Sequence, residues 1–438
     1  MSAAFESHAT RAASGSYPSP ALLNQSPWPT PRAADSDRSL NIAPLAICIN
    51  IPLQARGAEL PPALAGALGR EIASQPHNLR QRPVSQLMWR NPFNDFGLGD
   101  LTATMHQLGS HFRLLPGDSH EYCAEVDIFQ TTEEQVALLK GLGFNQLLVT
   151  LPPAALSSKL DDVAPVLTQR IRALRDYGFA SIGIKLVYGF HAQKPHQLRH
   201  LIDTIIHLQF ERVYLCDALE DYHWDPLATA CANSSELQDH FTLLFNALRN
   251  NGYRVLGNDC FVLPKDQLAV AQRHYRLRRT LLNYNASNAA DLLGLGPGAY
   301  GQLGRTYQRN EPDPQTYCHK VGNGESPVIG SYSLDEQGQL LRLVIDQLLC
   351  YHRLDITYME SRYKLHLMPL LRQSIRRLAS ELSSGSHALV QFKDRACMHL
   401  PPIGILHLRA ICDALVMEGL LDQHKTTSTD TSERYTKQ

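Results

Sequence analysis

The chain has almost no net charge and no long apolar run. Its 438 residues include 41 Lys and Arg against 42 Asp and Glu, which gives a formal net charge of −1 at pH 7. Such a chain creates no bulk field that attracts nucleic acid or an anionic membrane, and no uninterrupted apolar stretch reaches the length of a membrane span. The first 40 residues lack the apolar core of a secretory signal. We therefore expect a cytoplasmic protein with no nucleic-acid partner and no membrane span.

Closely spaced cysteines are missing as well. None of the nine cysteines falls in a C-x-x-C or C-x-x-x-C spacing, which argues against a zinc knuckle or a locally ligated cluster. A dispersed, odd-numbered set usually means buried small hydrophobes, and the alternative is a ligand set assembled from distant cysteines. The sequence also lacks a Walker loop, a nucleophile elbow and an H-E-x-x-H motif.

The chain does contain a regular alternation of apolar runs and amphipathic segments. The predicted strands are Leu45–Ile51, Val84–Trp89, Tyr122–Ile128, Gln146–Leu151, Ser181–Val187, Arg212–Cys216 and Arg254–Gly257. The predicted helices are Pro61–Ser74, Gly99–Phe112, Thr132–Leu142, Ala164–Tyr177, Gln197–Leu208 and Ser235–Asn250. Alternating strands and helices predict a parallel sheet with right-handed crossovers. Six such units in roughly 200 residues predict an α/β fold, a partial (β/α)6 TIM-like barrel with its chemistry at the carboxyl ends of the strands.

The remaining parts of the chain differ in character from this barrel. Residues 1–40 are rich in Ala, Ser and Pro and predict a flexible N-terminal arm, and 41–310 contain the barrel. Residues 320–425 predict a small helical, winged-helix-like domain. The polar stretch 426–438 predicts a disordered tail. The expected elements of the small domain are helices Ser333–Tyr351, Met368–Leu382 and Ile403–Glu418, and a strand at His387–Phe392.

Several segments resemble the oxygen-independent coproporphyrinogen III oxidases, which are radical SAM enzymes of haem biosynthesis. The similar segments are Val84–Trp89, Gly141–Leu147, Leu186–Gly189, Gly252–Gly296 and Leu349–Asp355. The resemblance extends from Ser16 to about Leu421. It implies a radical SAM barrel with a [4Fe–4S] cluster and S-adenosylmethionine as cofactors, and a tetrapyrrole substrate.

The cluster motif of that family is absent. In the family, a strand ends in His-Ile-Pro-Phe and runs into Cys-x-x-x-Cys-x-x-Cys. Here Asn50–Leu53 resembles the four residues that precede the first cysteine. The positions of the three cysteines are occupied by Gln54, Ala58 and Pro61. Because iron–sulfur clusters are held by cysteine thiolates, we expect no cofactor, no metal and no radical SAM activity.

The positions that contact S-adenosylmethionine in the family are changed too. The glycine-rich loop after the second strand reads Arg90–Asp95, without a glycine. Glu125 matches the glutamate that bonds the ribose of the cofactor, and it stands as a remnant of that site. The aspartate of the fifth strand is Lys185, and the Gln-Asp pair of the fourth is Pro152-Pro153.

Other candidate sites have weaker patterns. Arg273 and Arg276 belong to a basic run in the segment most similar to the family, and they are candidates for anchoring propionates, or else they lie on a solvated face. Asp259 is a further candidate ligand contact. His196 and His200 are four residues apart on a predicted helix, a spacing that suits a metal or a haem iron but is more typical of exposed helix histidines.

Three functions are compatible with this sequence. The favoured one is a pseudoenzyme that binds haem, a porphyrin or a protein of the haem pathway. The second is a divergent coproporphyrinogen III dehydrogenase, which would decarboxylate its substrate oxidatively to protoporphyrinogen IX, with cluster ligands from scattered cysteines such as Cys48 and Cys123. The third is a structural subunit for an active paralogue. The sequence leaves the oligomeric state open.

Overall fold

The computed structural model describes residues 43–52, 59–93, 96–117, 120–151, 160–190, 193–218, 234–363, 367–381, 389–393 and 396–416. These residues form two compact units. The first spans residues up to 255 together with 259–333, and the second comprises 256–258 and the residues from 334 onward. The predicted N-terminal arm and C-terminal tail lie outside the described residues, and the predicted domain limits stay predictions.

A twisted sheet forms the first unit. In chain order its main strands are β1 (Leu45–Asn50), β2 (Pro83–Arg90), β3 (Arg113–Leu114), β4 (Glu121–Asp127), β5 (Gln146–Thr150), β6 (Ser181–Tyr188), β7 (Arg212–Asp217), β8 (Arg254–Leu256) and β9 (Cys260–Val262). The order β1-β2-β4-β5-β6-β7 is parallel throughout, and β9 closes it antiparallel to β7. This is the predicted six-stranded parallel core of an α/β partial barrel.

Helices follow the strands of this sheet. They are α1 (Leu64–Ser74), α2 (His77–Arg80), α3 (Leu98–His111), α4 (Glu133–Gly141), α5 (Leu160–Asp176), α6 (Pro195–His207), α7 (Ser234–Asn250) and α8 (Gln267–Arg273). Between helices on one side and the barrel interior on the other, the strands are buried on both faces, and all residues of β1 and β5 are buried. This explains why the strands read as continuous apolar runs.

Local signals fix the turns between these elements. At the start of α4, the backbone N–H of Gln135 donates to the Thr132 hydroxyl at 3.3 Å. The Gln135 side chain in turn accepts from the N–H of Thr132 at 2.9 Å. This capping box marks where the connection after β4 ends and the helix begins. The connection itself starts at the carboxyl end of β4, at the edge of the sheet where the neighbouring parallel strands also end.

An antiparallel extension of the sheet was not predicted from the sequence. The elements of this part of the chain are β10 (Arg278–Arg279), β11 (Tyr284–Asn285), β12 (Asp291–Leu295), β13 (Tyr300–Leu303), β14 (Thr306–Asn310), α9 (Pro314–Gly322) and β15 (Val328–Ser333). Strand β12 pairs parallel to β1, and β13, β14 and β15 continue antiparallel from it, while β10 and β11 form a separate hairpin. These strands are short and partly exposed, so their hydrophobic pattern is weak.

The second unit is small and mostly helical. Its elements are α10 (Glu336–Tyr351), β16 (Arg353–Asp355), α11 (Ile356–Tyr363), α12 (Leu367–Glu381), β17 (Gln391–Lys393), β18 (Cys397–His399), α13 (Pro402–Leu406) and the helical residues 408–416. The three strands form an antiparallel sheet in the order β16-β18-β17. The predicted helices agree with α10 and α12 within three residues, and His387 of the predicted strand lies outside the described residues.

No helix among the described residues combines the length and the apolar character that crossing a bilayer requires.

Candidate functional site

The carboxyl ends of the parallel strands carry a group of charged side chains. Glu125 points into the barrel from β4, and Arg90 ends β2 beside it. The Arg90 Nε donates to Glu125 Oε2 at 3.3 Å, and the Lys185 Nζ of β6 lies 3.9 Å from Glu125 Oε1. Glu125 is therefore bracketed by two cations that the sequence analysis had placed at changed cofactor positions.

This ion triad is mostly withdrawn from solvent. The side chains of Glu125 and Lys185 are 6% and 11% exposed, whereas Arg90 is 27% exposed. Charge pairs in such surroundings are screened less than surface pairs. The carboxylate of Glu125 is thus satisfied by side chains of its own chain, at the position where the resemblance implies a contact to the ribose of a cofactor.

The connection after β2 follows a path that the sequence did not reveal. Asn91 has a φ of 51°, in the left-handed region that Asn adopts more readily than most residues. Its side-chain amide donates to the Ile51 carbonyl at 3.0 Å. The loop therefore bonds to the chain segment that leaves β1, in the place where the family has its glycines.

Only one of the three cluster positions lies within the described residues. Gln54 and Ala58 fall in the gap at 53–58, and Pro61 is half-buried just before α1. The Pro61 carbonyl accepts from the Leu64 N–H at 2.9 Å, so this residue starts the helix. A proline ring offers no atom that can ligate iron.

The turn after β12 lies directly against the end of β1. Asn50 donates from its side-chain amide to the Pro297 carbonyl at 2.7 Å. Gly296 has a φ of +91°, and a Cβ at this position would overlap the Asn50 carbonyl oxygen. Only glycine combines this backbone conformation with this close approach. The glycine-rich stretch that starts at Gly294 is therefore a packing turn at the rim of the barrel.

A buried carboxyl group of α1 accepts a hydrogen bond from this turn. Glu71 of α1 accepts hydrogen bonds from the Gly296 N–H at 2.8 Å, the Asn310 amide at 2.7 Å and the Tyr317 hydroxyl at 2.6 Å. Burial raises the pKa of Glu71 to about 7, and the three hydrogen bonds oppose that rise. Glu71 was not predicted as a site residue, although its place on the apolar stripe between Leu68 and Ile72 indicated a buried carboxyl group.

A second ionic network closes the opposite, amino-terminal end of the strands. Arg212, the first residue of β7, donates to Asp266 at 2.9 Å and to Gln146 at 3.0 Å, and lies 3.7 Å from Glu121. Glu121 also accepts from the Ala286 N–H at 2.7 Å. Burial raises the pKa of Glu121, and Arg212 opposes that rise. These residues are far apart in sequence, so no local pattern indicated the network.

The two cysteines considered as distant cluster ligands lie in the barrel interior. Cys48 packs in an apolar cluster with Met88 and Leu148, and Cys123 lies against the same cluster. Burial raises the pKa of both thiols to about 12, which disfavours the thiolate that a metal requires. Within the described ranges, no three His, Cys, Asp or Glu side chains are grouped so that they could share a metal ion.

Two of the candidate ligand residues lie at the amino-terminal end of the barrel. Arg273 ends α8 and Arg276 follows it, the first turn of this helix is capped by Asp266, and both arginines are exposed. The Arg273 guanidinium donates to the Pro264 carbonyl at 3.0 Å. Asp259 is half-buried, and its carbonyl accepts from the Leu215 N–H at 2.7 Å. The roles of Arg273, Arg276 and Asp259 as ligand contacts stay predictions.

The histidine pair lies on the solvent side of its helix. His196 and His200 are both exposed on α6. The helix buries its opposite face through Leu198, Leu201 and Ile205. This arrangement fits the interpretation of the pair as exposed helix histidines.

Known proteins resemble the chain in both sequence and structure. It is 29% identical over 339 residues to the oxygen-independent coproporphyrinogen III oxidase of Pseudomonas aeruginosa, an alignment that covers 74% of this chain and 72% of that protein. It is 26% identical over 365 residues to the enzyme of the same name from Escherichia coli, with coverages of 79% and 77%. No family model matches the chain.

Among solved structures, coproporphyrinogen III oxidase from Escherichia coli, described as a radical SAM enzyme, has the same fold. The TM-score is 0.72 at 22% identity, and the superposition covers 86% of this chain and 90% of that one. The predicted radical SAM fold is confirmed by this match. The residues at the cofactor positions do not fit the cofactors of that fold, since none of positions 54, 58 and 61 has a thiol and Arg90 and Lys185 bracket Glu125.

Proposed function

We propose that this chain, a homologue of the oxygen-independent coproporphyrinogen III oxidases that shares their fold, is a pseudoenzyme of the haem pathway. The observation that carries the proposal is the replacement of all three thiolate positions by Gln54, Ala58 and Pro61. An amide, a methyl group and a proline ring cannot replace thiolates around iron. Without a cluster, the chain cannot reduce S-adenosylmethionine as radical SAM enzymes do.

The ion triad supports the same proposal from the structure. In a site that binds a nucleoside through a glutamate, the carboxylate must be available to the hydroxyl groups of the ligand. Glu125 instead has Arg90 at 3.3 Å and Lys185 at 3.9 Å. A ligand at Glu125 would have to displace at least one of these cations.

The ligand proposed for this pseudoenzyme is a tetrapyrrole with carboxylate side chains. The relatives are named for their action on coproporphyrinogen III, and the parallel barrel that would enclose such a ligand is retained. Carboxylates are bound by Arg and Lys. Arg273 and Arg276, which are both exposed, are the candidate anchors predicted from the sequence. Because they lie at the amino-terminal end of the barrel, they would bind carboxylates that reach the outside of that end rather than a ligand at the carboxyl ends of the strands. A protein of the haem pathway is the other candidate partner.

The second candidate function is a divergent oxidase, which the sequence similarity supports equally well. It would need a cluster held by ligands outside the usual motif. Cys48 and Cys123 lie in the barrel interior, where burial raises the pKa of both thiols. A cluster bound to them would have to release both thiol protons.

Anaerobic reconstitution separates the two candidates. The full chain is incubated with iron and sulfide, and the bound iron is counted before and after addition of S-adenosylmethionine. The matched control is the triple variant Gln54→Cys, Ala58→Cys and Pro61→Cys, which restores the thiolate spacing. We expect no bound iron in the natural chain. The variant, in contrast, should take up about four irons, the content of a [4Fe–4S] cluster.

A cluster in the natural chain, or anaerobic turnover of coproporphyrinogen III, would refute the pseudoenzyme. Binding of coproporphyrin III is measured separately by the quenching of its fluorescence. Saturable binding without turnover is the expected result. If the natural chain neither binds this tetrapyrrole nor copurifies with a protein of the haem pathway, the proposed role as a tetrapyrrole or partner binder fails even though the absence of a cluster stands.

A further inference from the structure

The second unit has the element order of a winged helix. Helix α10 is followed by β16, the helix pair α11 and α12, and the hairpin of β17 and β18. Strand β18 pairs with both β16 and β17, through Leu354 and Phe392 opposite Met398. In helix-turn-helix proteins that bind DNA, the second helix of the pair lies in the major groove. In this unit the corresponding helix is α12.

Helix α12 has two distinct faces. Its buried side chains pack into the unit, and they are Leu371, Ser374, Ile375 and Leu378. Its exposed side chains from the second turn onward are polar or basic, and they include Gln373, Arg376, Arg377 and Ser380. The exposed face thus presents two adjacent arginines and a glutamine on a helix whose position is fixed by its apolar side.

The hairpin adds to the same basic surface. The Arg372 guanidinium of α12 lies 5.9 Å from the centre of the Phe392 ring of β17, a cation–π contact that ties helix and hairpin together. Lys393, the next residue of β17, is exposed. The Arg372–Phe392 contact thus places β17 beside α12, and Lys393 adds an exposed cation to this strand.

The charge of this segment differs sharply from that of the whole chain. Residues 362–395 contain seven Lys and Arg and two Asp and Glu, a net charge of +5 in a chain whose total is −1. The expectation of no nucleic-acid partner was based on the total, which conceals this local excess. A basic stretch centred on an exposed helix is the electrostatic footprint of a nucleic-acid surface.

We propose that this surface, made of Arg372, Gln373, Arg376, Arg377 and Lys393, binds double-stranded DNA, with α12 in the major groove. An α-helix has the diameter that the major groove of B-form DNA admits. Arginine and lysine neutralise phosphates, and glutamine and arginine are the side chains that bond adenine and guanine edges there. The proposal concerns the second unit and is independent of the function proposed for the barrel.

The test measures binding of the full chain to a fluorescein-labelled duplex of about 20 base pairs and mixed sequence, by fluorescence anisotropy from about 50 to 200 mM salt. The test variant is R376Q/R377Q. The matched control is R172Q/R199Q, which removes the same charge from two exposed helix arginines of the first unit. We expect the test variant to bind at least about 10-fold more weakly, with a salt slope smaller by about 2, and the control to bind like the natural chain.

Thermal unfolding of each variant checks that the fold is intact. If R376Q/R377Q is unfolded, the single variant Arg376→Gln is compared with Arg172→Gln instead. The variant R376K/R377K keeps the charge and should retain binding to within about 3-fold, because non-specific affinity comes from phosphate neutralisation. No binding of the natural chain at the lowest salt overturns the proposal. So does equal weakening of test and control variants, or equal affinity for a duplex RNA or for polyglutamate.

Discussion

The two ends of strand β4 differ in how they bury a glutamate. At the amino-terminal end, Glu121 lies in a network whose shortest contacts, from Ala286 to Glu121 and from Arg212 to Asp266, are 2.7 and 2.9 Å. At the carboxyl-terminal end, Glu125 has contacts of 3.3 and 3.9 Å, and its partner Arg90 is 27% exposed. The first end has dense, directional hydrogen bonds, and the second has longer and more adjustable charge contacts.

This difference distinguishes a closely hydrogen-bonded network from a looser ionic one. The network at the amino-terminal end joins β4, β5, β7 and Asp266, the residue that caps α8. The contacts at the carboxyl-terminal end join Glu125 to Arg90 and Lys185. We infer that the barrel depends on the first network for stability and tolerates changes in the second. The predictions below test this difference, from the largest expected effect to the smallest.

Replacement of Arg212 by Met should have the largest effect. It leaves Asp266 and Glu121 buried without their cation, and removal of one partner of a buried pair costs about 3–5 kcal/mol. Trp89 is buried in β2 of the first unit, so urea unfolding followed by its fluorescence reports on that unit. The matched variant is Arg90→Met at the other end of β4. Equal losses of unfolding free energy in the two variants would contradict the proposed difference.

The buried carboxyl of Glu71 should make stability depend on pH. Its pKa is about 7 in the folded chain against an ordinary value of 4.5, so the folded state holds more protons between these values. Stability should be highest at the acidic end of this window, and up to about 3 kcal/mol should be lost as the pH rises through 7.

Urea unfolding at a series of pH values measures this effect. The variant Glu71→Gln should flatten the curve, because its amide does not titrate and still accepts hydrogen bonds. The groups nearest to this carboxyl are the hydroxyl of Tyr317, whose pKa burial raises well above its usual range, and Arg70, which interacts with Tyr317. An unchanged pH profile in the variant would show that another group titrates.

Replacement of Arg90 by Met should cost only about 1 kcal/mol or less. The guanidinium is partly exposed, and Lys185 remains beside Glu125 to compensate its charge. The measurement is the same fluorescence-detected urea unfolding. The double variant R90M/K185M removes both cations and should lose more than the sum of the two single variants, because Glu125 is then buried without a partner. Strict additivity would mean that the three residues do not act as one triad.

The smallest change in stability is expected for R273Q/R276Q. Both side chains are exposed, so the free energy of unfolding should change by no more than about 0.5 kcal/mol. Their proposed role as anchors for carboxylates nevertheless predicts weaker binding of coproporphyrin III, by about 10-fold or more for two lost charge-assisted bonds. The charge-matched control is R172Q/R199Q, whose affinity for coproporphyrin III is measured in the same way, by quenching of the porphyrin fluorescence. Equal affinities of R273Q/R276Q and R172Q/R199Q would exclude the anchoring role.

Much of the barrel could be predicted from the sequence, because buried parallel strands leave continuous apolar runs. The predicted strand Leu45–Ile51 and the observed β1 differ by one residue. Short elements such as β13 and β16 escaped, because three or four partly exposed residues form no recognisable period. Long-range strand pairing explains why β12 was not recognised as the parallel neighbour of β1.

The candidate site was predicted only in part. Resemblance to a motif identified Glu125 as a retained position and Arg90 and Lys185 as changed ones, but not as contacts of one another. Their proximity follows from the register of β2, β4, β5 and β6, and register is a property of the assembled sheet. Arg212 gave no local signal, because its three partners come from three separate segments of the chain.

The pairing of β1 has a consequence for synthesis of the chain. One edge of β1 pairs with β2, which follows within about 40 residues, but its other edge pairs with β12, where Leu45 lies opposite Asp291. A nascent chain must therefore hold one edge of its first strand open until most of the first unit has left the ribosome. Open strand edges invite pairing with other chains. We therefore expect the nascent chain to be most prone to pairing with other chains until β12 has been synthesised.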